Sequence, residues 1–583
     1  MAPIAYMSMF TGFRAYDDEG YYLASLADYL SGHPLLTQYA PVYGPFFYEV
    51  MGGLFKLLGL TPDNDTARAV TAGIWVIDSL AGGLVAFRLS RNLWLGLGAQ
   101  VLTFSVLAAL GNEPLSTYGM TTMLLLGLVA AATFGASRPR ATGALIGAIV
   151  GALCLIKINV GGLAAIAVAF AWVAGLTPRW RRLLQPSMAA VITAVPIVLM
   201  SALLNAGWVV EFAIVVALSA AAVGAASLAA LPSPFPWPSG PWIAVGGGVL
   251  AVACLAIAFA SGTRPGDAWQ ELVVVPLQFP RLFTVPIRLN AGYDVVAAIS
   301  FAAALLASVR RSTAGVSPAL AGLLRIGAGF FTWASMLFMP DSTYLLALPL
   351  AWLATQAPDG PDRDPVGAFA RRLVPALAVL ESLQAYPIAG SQLSIAALGL
   401  VSVGAITFGD GIRQLRAAGV RAARYAPPAA MGLNLAVLSL FALTAVAGFA
   451  TGTALGLPGA ESVRLPVQRA MDLRQLVATV DRSCSSFVTF PGMDSFYIWT
   501  GQDPPTPARA GGWWLLLDRD QEQALVDQLT PKQRLCVIKN QRGVDMWAQG
   551  AGVPSNPLVD FIDREFVHDS SYGDYELLVR SGA

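Results

Sequence analysis

Three consecutive carboxylates, Asp17, Asp18 and Glu19, stand inside the string AYDDEGYY at Ala15 to Tyr22. A carboxylate placed against a hydroxyl can take its proton as a general base. Carboxylate oxygens without nearby histidine also favour a hard cation, so Asp17 and Glu19 are candidate ligands for a divalent ion such as Mg or Mn. With only His33 and His568 in the chain, a histidine-rich zinc site is excluded. Each of these acids would cost several kcal/mol if left in hydrocarbon, so the triplet is expected at an aqueous face. The plainer reading is three acids that merely solvate a helix end near the membrane surface.

The elements around the triplet are legible. Leu23, Leu26, Ala27 and Leu30 recur at helical spacing, which predicts a helix lying in the interface plane over Tyr21 to Leu30. Gly32-His33-Pro34 turns the chain, and QYAPVYGP at Gln38 to Pro45 leads into a second amphipathic or re-entrant segment, Phe46 to Leu60. This much interfacial structure directly after a first helix suits an enzyme acting on a lipid headgroup better than a transporter.

Hydrophobic residues make up 56% of the chain and charged residues 12%, and the mean hydropathy is +0.62; a soluble domain does not show this balance. The chain is a polytopic α-helical membrane protein. Its net charge of +1 gives no reason to expect a nucleic-acid partner. Apolar runs near the ~20 residues that span a bilayer recur from Thr66 to Ala450, with spans expected near 66–88, 93–110, 120–136, 141–157, 159–176, 186–204, 207–231, 241–261, 293–309, 318–339, 342–357, 373–388, 391–409 and 427–450. Counting the apolar Met1 to Phe13, about 13–15 transmembrane helices are expected. That first segment is short for a span, so either the chain starts upstream or its first helix begins in a thin part of the fold. A cleaved signal peptide fits poorly, because no basic region and no small-residue cleavage site precede Asp17.

Basic loops fix the expected orientation. Arg88 to Arg91, Arg138 to Arg140, Arg179 to Arg182, Arg310-Arg311, Arg371-Arg372 and Arg413 to Arg424 fall on alternate sides of the spans, as the positive-inside rule requires of a cytoplasmic face. The loop 14–45, the loops 112–118, 261–292, 339–343 and 386–391, and everything after Thr451 are then extracytoplasmic. The chain divides into a membrane module, 1–450, and a small α/β domain, 451–583, in which the β-rich runs Ser486 to Phe490, Trp513 to Leu517, Leu535 to Ile538 and Tyr575 to Val579 alternate with a helical pattern over Arg519 to Leu529. Cys484 and Cys536 both lie in this domain; a disulfide and a pair of reduced core thiols are both compatible with the sequence. Cys154 and Cys254 lie in spans. No internal repeat is evident, and the Pro-rich Pro232 to Pro241 reads as a cytoplasmic connector.

An acidic pair directly after the first helix, followed by an interfacial helix, a Pro- and Tyr-rich turn and a second interfacial helix, resembles the GT-C glycosyltransferases. It is most similar to the lipid A aminoarabinose transferases and protein O-mannosyltransferases, whose loop has the form Y-D-E followed by P-P-L-Y-Y. The corresponding strings are YDDEGYY and APVYGPFFY. LIKINVGG at Leu155 to Gly162 is similar to that family's T-K-G, and MPDSTYLLALPL at Met339 to Leu350 to its late Y-L-L-P helix. The P-P-L-Y-Y string is not matched literally, and Ile158 follows the lysine where the family has Gly, which leaves donor and acceptor open.

The resemblance implies an inverting glycosyltransferase of the plasma membrane. Its donor would be a polyprenyl-phosphate-linked sugar (hexosyl or pentosyl), and its acceptor a cell-envelope glycan, lipid or protein. Asp18 aligns with the family's acidic pair as the base, while Glu19 or Asp17 would orient the acceptor or hold the cation. Lys157 would grip the donor phosphate, against the alternative of a lysine snorkelling to the interface. Arg264, and Arg281 or Arg288, are further phosphate candidates, and Trp269 offers a face for a sugar, although interfacial anchoring explains these nearly as well. Tyr39 and Tyr43 of the Tyr-rich turn are further substrate-binding candidates. Glu113 and Tyr118 are placed to line the same cavity, as are Asp341 and Tyr344, with an ordinary polar loop as the plainer reading. A transporter or flippase of lipid-linked sugars is the alternative class, but inverted repeats and midplane charges are not found.

Overall fold

The computed structural model describes the chain except residues 15, 37–42, 109–112, 136–137, 231–238, 311–316, 339–341, 359–365, 507–516, 550–551 and 582–583, and the side chains of 282, 310 and 338. Among the described residues nine helical stretches are long and apolar enough to cross a membrane, and four shorter apolar helices accompany them. This is a multi-pass helical membrane protein carrying a small sheet domain.

The first part of the chain runs α1 (Ala2–Met9), α2 (Asp18–Leu30), α3 (Pro45–Leu58), α4 (Asn64–Ser90), α5 (Leu93–Ala108), α6 (Thr117–Phe134), α7 (Pro139–Ile156) and α8 (Ile158–Val173). It continues through α9 (Pro178–Leu199), α10 (Gly207–Ala229), α11 (Ser239–Ala260), α12 (Pro265–Trp269), α13 (Val275–Leu282), α14 (Tyr293–Arg310) and α15 (Pro318–Phe338). The bundle closes with α16 (Tyr344–Ala347), α17 (Ala370–Glu381), α18 (Gln392–Ala397), α19 (Gly399–Ala417) and α20 (Ala426–Thr451). Apolar all-round sequence explains the buried α8 and α10, because a helix with no polar face must be covered by protein or lipid.

The expected spans meet these helices closely, with two differences in kind. The segment expected at 342–357 is a short α-turn followed by a 3₁₀ run, Leu348–Thr355, and the one expected at 373–388 ends in a 3₁₀ turn, Ser382–Ala385. Proline at 349 removes an amide donor near the first of these changes.

The two ends of the bundle differ. At one end Arg88 donates to the Thr133 carbonyl and Arg413 to the Ser90 carbonyl, tying helix ends together. The other end carries α2 and α3, which pack through Tyr22, Leu26, Phe47 and Met51 over Ile156 at the end of α7.

The sheet domain stands on this second end. A two-stranded ribbon, β1 (Thr453–Ala454) and β2 (Arg464–Leu465), leads into α21 (Val467–Ser483), and a four-stranded sheet follows in the order β3 (Ser486–Phe490), β4 (Leu535–Asn540), β6 (Tyr575–Arg580), β5 (Phe566–Tyr572). β3 runs parallel to β4, and the remaining pairs are antiparallel. One face packs on α21 and α22 (Ser495–Thr500) through Leu476, Val480, Phe487 and Phe496. The other packs on α23 (Arg519–Leu529) and α25 (Pro557–Glu565) through Val526, Val537 and Phe561; α24 (Gln541–Ala548) follows β4. The helix expected at Arg519 to Leu529 is α23, opened by a capping box between Asp518 and Gln521. Sequence patterning misses β5, whose FVHDSSY has no apolar alternation, and of the run expected at Trp513 to Leu517 all but Leu517 lies outside the described residues. Cys484 and Cys536 are joined in a disulfide, with Cα atoms 5.8 Å apart.

Candidate functional site

The acidic triplet opens α2, but its three members point to different neighbours. Asp17 caps the helix from a left-handed conformation, φ 46° and ψ 45°, which an Asp tolerates better than most residues. Its Oδ1 accepts from Gly20 N at 3.0 Å and from Ser495 Oγ at 2.7 Å, and its Oδ2 accepts from Ser495 N at 2.7 Å. Only glycine fits position 20, where a Cβ would lie 2.3 Å from both Asp17 Oδ2 and Ser495 N. Burial pushes the Asp17 carboxyl up to about 7, against the opposing pull of the Ser495 hydrogen bonds.

Glu19 is held differently. Arg68 of α4 donates Nε to Oε1 at 2.8 Å and Nη2 to Oε2 at 2.7 Å, and its Nη1 donates to the Met9 and Gly12 carbonyls at 2.8 and 2.9 Å. Both partners are buried, so this bidentate pair locks α1, α2 and α4 together. The expectation that the whole triplet lies at an aqueous face is therefore corrected: Asp17 and Glu19 are 3% exposed and hydrogen-bonded within the protein. Their oxygens are occupied, so this donor pair does not fit the divalent cation expected of it. Among the described residues no three His, Cys, Asp or Glu side chains gather as a metal-binding group.

Asp18 is the member left over. It is half-buried, and its carboxylate has no hydrogen-bond partner among the described residues. Burial first, then the negative charges of Glu113 and Asp17, hold its carboxyl well above the ordinary carboxylate range. Tyr22 and Tyr43, whose ring centroids are 5.3 Å apart, lie against it. Tyr43 is brought there by Gly44, whose N donates to the Ile156 carbonyl at 2.9 Å. A Cβ on Gly44 would lie 2.0 Å from the Leu155 carbonyl oxygen, so a side chain there would push the loop off the end of α7.

Across from Asp18 stands Glu113. It is buried and takes a hydrogen bond from Ser391; burial raises its carboxyl, while Ser391, Lys157 and Arg14 pull it down. Lys157 joins α7 to α8 in extended backbone, φ −152° and ψ 108°, at the tip of the hairpin. Its Nζ donates to Gln392 Oε1 at 3.2 Å and lies 5.9 Å from the centre of the Tyr118 ring. Glu381 at the end of α17 also feels Lys157 and accepts from Gln384 Nε2 at 2.7 Å.

The structure thus gathers Asp18, Glu113, Lys157, Tyr43 and Tyr118 of the sequence-expected residues. Arg264 and Trp269 lie on the 261–274 segment that covers α3, but both side chains are exposed, Trp269 by 62%. Tyr344 is buried in the main core of the bundle. Tyr39 and Asp341 lie outside the described residues. Sequence reading misses Arg14, Arg68, Tyr22, Glu381, Ser391, Gln392 and Ser495 as neighbours of the site. Glu381 carried a usable signal, an ionisable residue in an apolar stretch; Ser391, Gln392 and Ser495 carried none.

The arrangement is a pair of facing carboxylates, one of them unbound by protein, beside a lysine and three tyrosines at the end of a membrane bundle. Such a set can take a proton from a hydroxyl and hold an anionic group.

No protein-family model matches the sequence, and no curated protein matches it. Among solved structures the chain is similar to the oligosaccharyltransferase of Archaeoglobus fulgidus in complex with Zn and sulfate, at 12% identity and TM-score 0.39, covering 96% of this chain and 69% of that one. The apo form gives 12% identity and TM-score 0.36 over 97% of this chain and 71% of that one. The form tethered through a disulfide to an acceptor peptide containing the NVT sequon gives 13% identity and TM-score 0.34 over 96% and 70%.

Proposed function

We propose that the protein is an inverting membrane glycosyltransferase that moves a sugar from a polyprenyl-phosphate donor to a cell-envelope acceptor at the outer face of the plasma membrane. The observation that carries the reading is the sorting of the triplet: Glu19 and Asp17 are bound by protein groups, while Asp18 is left unbound beside the charge of Glu113, which in turn feels Lys157. The resemblance of YDDEGYY, APVYGPFFY and LIKINVGG to GT-C loops supports it from the sequence.

In this reading the acceptor hydroxyl attacks the anomeric carbon from the face opposite the phosphate. Asp18 takes the hydroxyl proton as the new C–O bond forms. The bond from the anomeric carbon to the phosphate oxygen breaks, its electron pair stays with the polyprenyl phosphate, and Lys157 stabilises the leaving anion. Tyr22 and Tyr43 wall the sugar, and burial together with the Glu113 charge raises the basicity of the Asp18 carboxyl.

Purified protein in lipid nanodiscs, given polyprenyl-phosphate sugars and envelope extracts, should convert donor to free polyprenyl phosphate, and Asp18→Asn should not. Donor that is bound and moved across a vesicle membrane without cleavage would establish a transporter instead. The orientation is tested separately: an impermeant protease applied to spheroplasts should reach the sheet domain. Its protection, with labelling of the Arg413 to Arg424 loop, would place Asp18 in the cytoplasm and end the reading.

A further inference from the structure

A cavity of about 1010 Å³ lies between the end of α20, the α1–α2 turn and the sheet domain. Its lining does not include Asp18, Glu113 or Lys157. Arg68 lines it while holding Glu19, and Arg14 on the same lining also acts on Glu113, so the cavity adjoins the Asp18 cluster without sharing Asp18, Glu113 or Lys157.

Its charge is one-sided. Arg14, Arg464, Arg469 and Arg542 line it, and against them stands a single acid, Asp574, 4.0 Å from Arg542. The positive charge of Arg68 is already matched by Glu19. Arg469 Nε is buried without a hydrogen-bond partner among the described residues, and Arg464 gives Nη1 to the Gly452 carbonyl at 3.0 Å while its guanidinium lies 4.4 Å from the Phe449 ring centre. The arginine forks match the oxygens of a phosphate, and several converge from different elements.

Its depth is equally informative. The wall follows α20 from Thr451 through Gly448 to Phe441. At 1.5 Å per residue this is about 15 Å of helix, half the thickness of a hydrocarbon core. Beside that wall α20 exposes Leu440, Leu443 and Val446, the pattern of a helix that meets lipid. The cavity is therefore cationic where it meets the sheet domain and apolar where it descends along a lipid-facing helix.

We propose that this cavity is a second binding site, for a phosphate-bearing lipid whose headgroup is held by Arg14, Arg464, Arg469 and Arg542 and whose hydrocarbon chain lies along α20 past Gly448. The site does not depend on the sugar-transfer reading, since no residue given a step in that chemistry lines it, although Arg14 neighbours both.

The test uses the full chain in phosphatidylcholine nanodiscs, with native mass spectrometry reading retention of dioleoyl phosphatidic acid against added phosphatidylcholine and inorganic phosphate. Wild type should retain phosphatidic acid selectively, and Arg464→Gln/Arg469→Gln should weaken it by about tenfold or more. Because that double variant touches the domain junction, Arg542→Gln, at an 81% exposed side chain, gives a fold-neutral check with a smaller loss. Gly448→Leu, on the shaft wall, should weaken lipid retention and leave any phosphate competition unchanged. Equal retention of phosphatidic acid and phosphatidylcholine by the wild type would overturn the site. Inorganic phosphate binding undiminished in Gly448→Leu, with no lipid selectivity in either protein, would reduce it to a free-phosphate site and overturn the lipid assignment.

Discussion

Asp18 and Asp410 are carboxylates at opposite ends of one bundle, and their surroundings could hardly differ more. Asp410 of α19 is fully buried and accepts from Arg325 at 3.0 Å, from Arg371 at 2.8 and 3.0 Å, and from Arg413. Arg325 and Arg371 also donate to the Leu353, Gln356 and Ala354 carbonyls, so the knot fastens α15, α17 and α19 to the 3₁₀ run between them. Asp18 has no such donors and faces another acid. A carboxylate saturated with hydrogen bonds has no lone pair to offer a substrate proton; one left unpaired beside a like charge has both the vacancy and the basicity. At Asp410 the charge is satisfied and fastens the bundle; at Asp18 it is not, which is what the proposed base requires.

The sharpest break of this contrast is a pair of identical substitutions. Asp18→Asn should lower sugar transfer by about 10²–10⁴-fold, the usual contribution of a positioned base, with an unchanged thermal midpoint. Near-normal turnover would remove Asp18 from its role. Asp410→Asn should do the reverse, costing about 3–5 kcal/mol because it leaves buried arginines uncompensated. A melting curve for that variant that overlays wild type would show the knot to be dispensable.

Lys157→Met comes next. Loss of a charge-assisted contact to a phosphate is worth about 1.5–3 kcal/mol, so donor affinity should fall by about tenfold to a hundredfold while the bundle stays folded. Unchanged affinity in a donor-binding titration would favour a lysine that only reaches toward the interface.

The pH dependence tests Glu113. The base proposed at Asp18 would act only when ionised, and burial and the Glu113 charge both raise its carboxyl. Activity should therefore rise with pH through that raised value and fall on the acid side. Glu113→Gln removes one raising influence, so the acid limb of the rate profile should move to lower pH. A limb that stays put would mean that Glu113 is neutral while Asp18 titrates.

The smallest expected effect is at the domain junction. Ser495→Ala removes the hydroxyl that binds Asp17 and accepts from Asn64, at 2.7 and 3.1 Å, but keeps the backbone N–H contact. A loss of about 1–2 kcal/mol in chemical denaturation is expected, with transfer activity reduced far less than in Asp18→Asn. Activity lost in step with Asp18→Asn would mean that the junction, not Asp18 alone, sets the chemistry.

Much of this molecule is written locally. Apolar runs of near-bilayer length give the membrane helices, because in hydrocarbon the backbone must satisfy its own hydrogen bonds. The spacing of Leu23, Leu26 and Leu30 gives α2, and Asp518 with Gln521 marks the start of α23. What the triplet does was not local. Glu19 is bound by an arginine 49 positions away, Asp17 by a serine 478 positions away, and Lys157 by a glutamine 235 positions away. Sequence alone determined that three carboxylates would stand at the end of a membrane bundle, since periodicity and hydropathy act between neighbours along the chain. Only the tertiary structure decided which of them is free, because a hydrogen bond is settled by what folding brings within 3 Å, and those partners came from segments no local pattern connects.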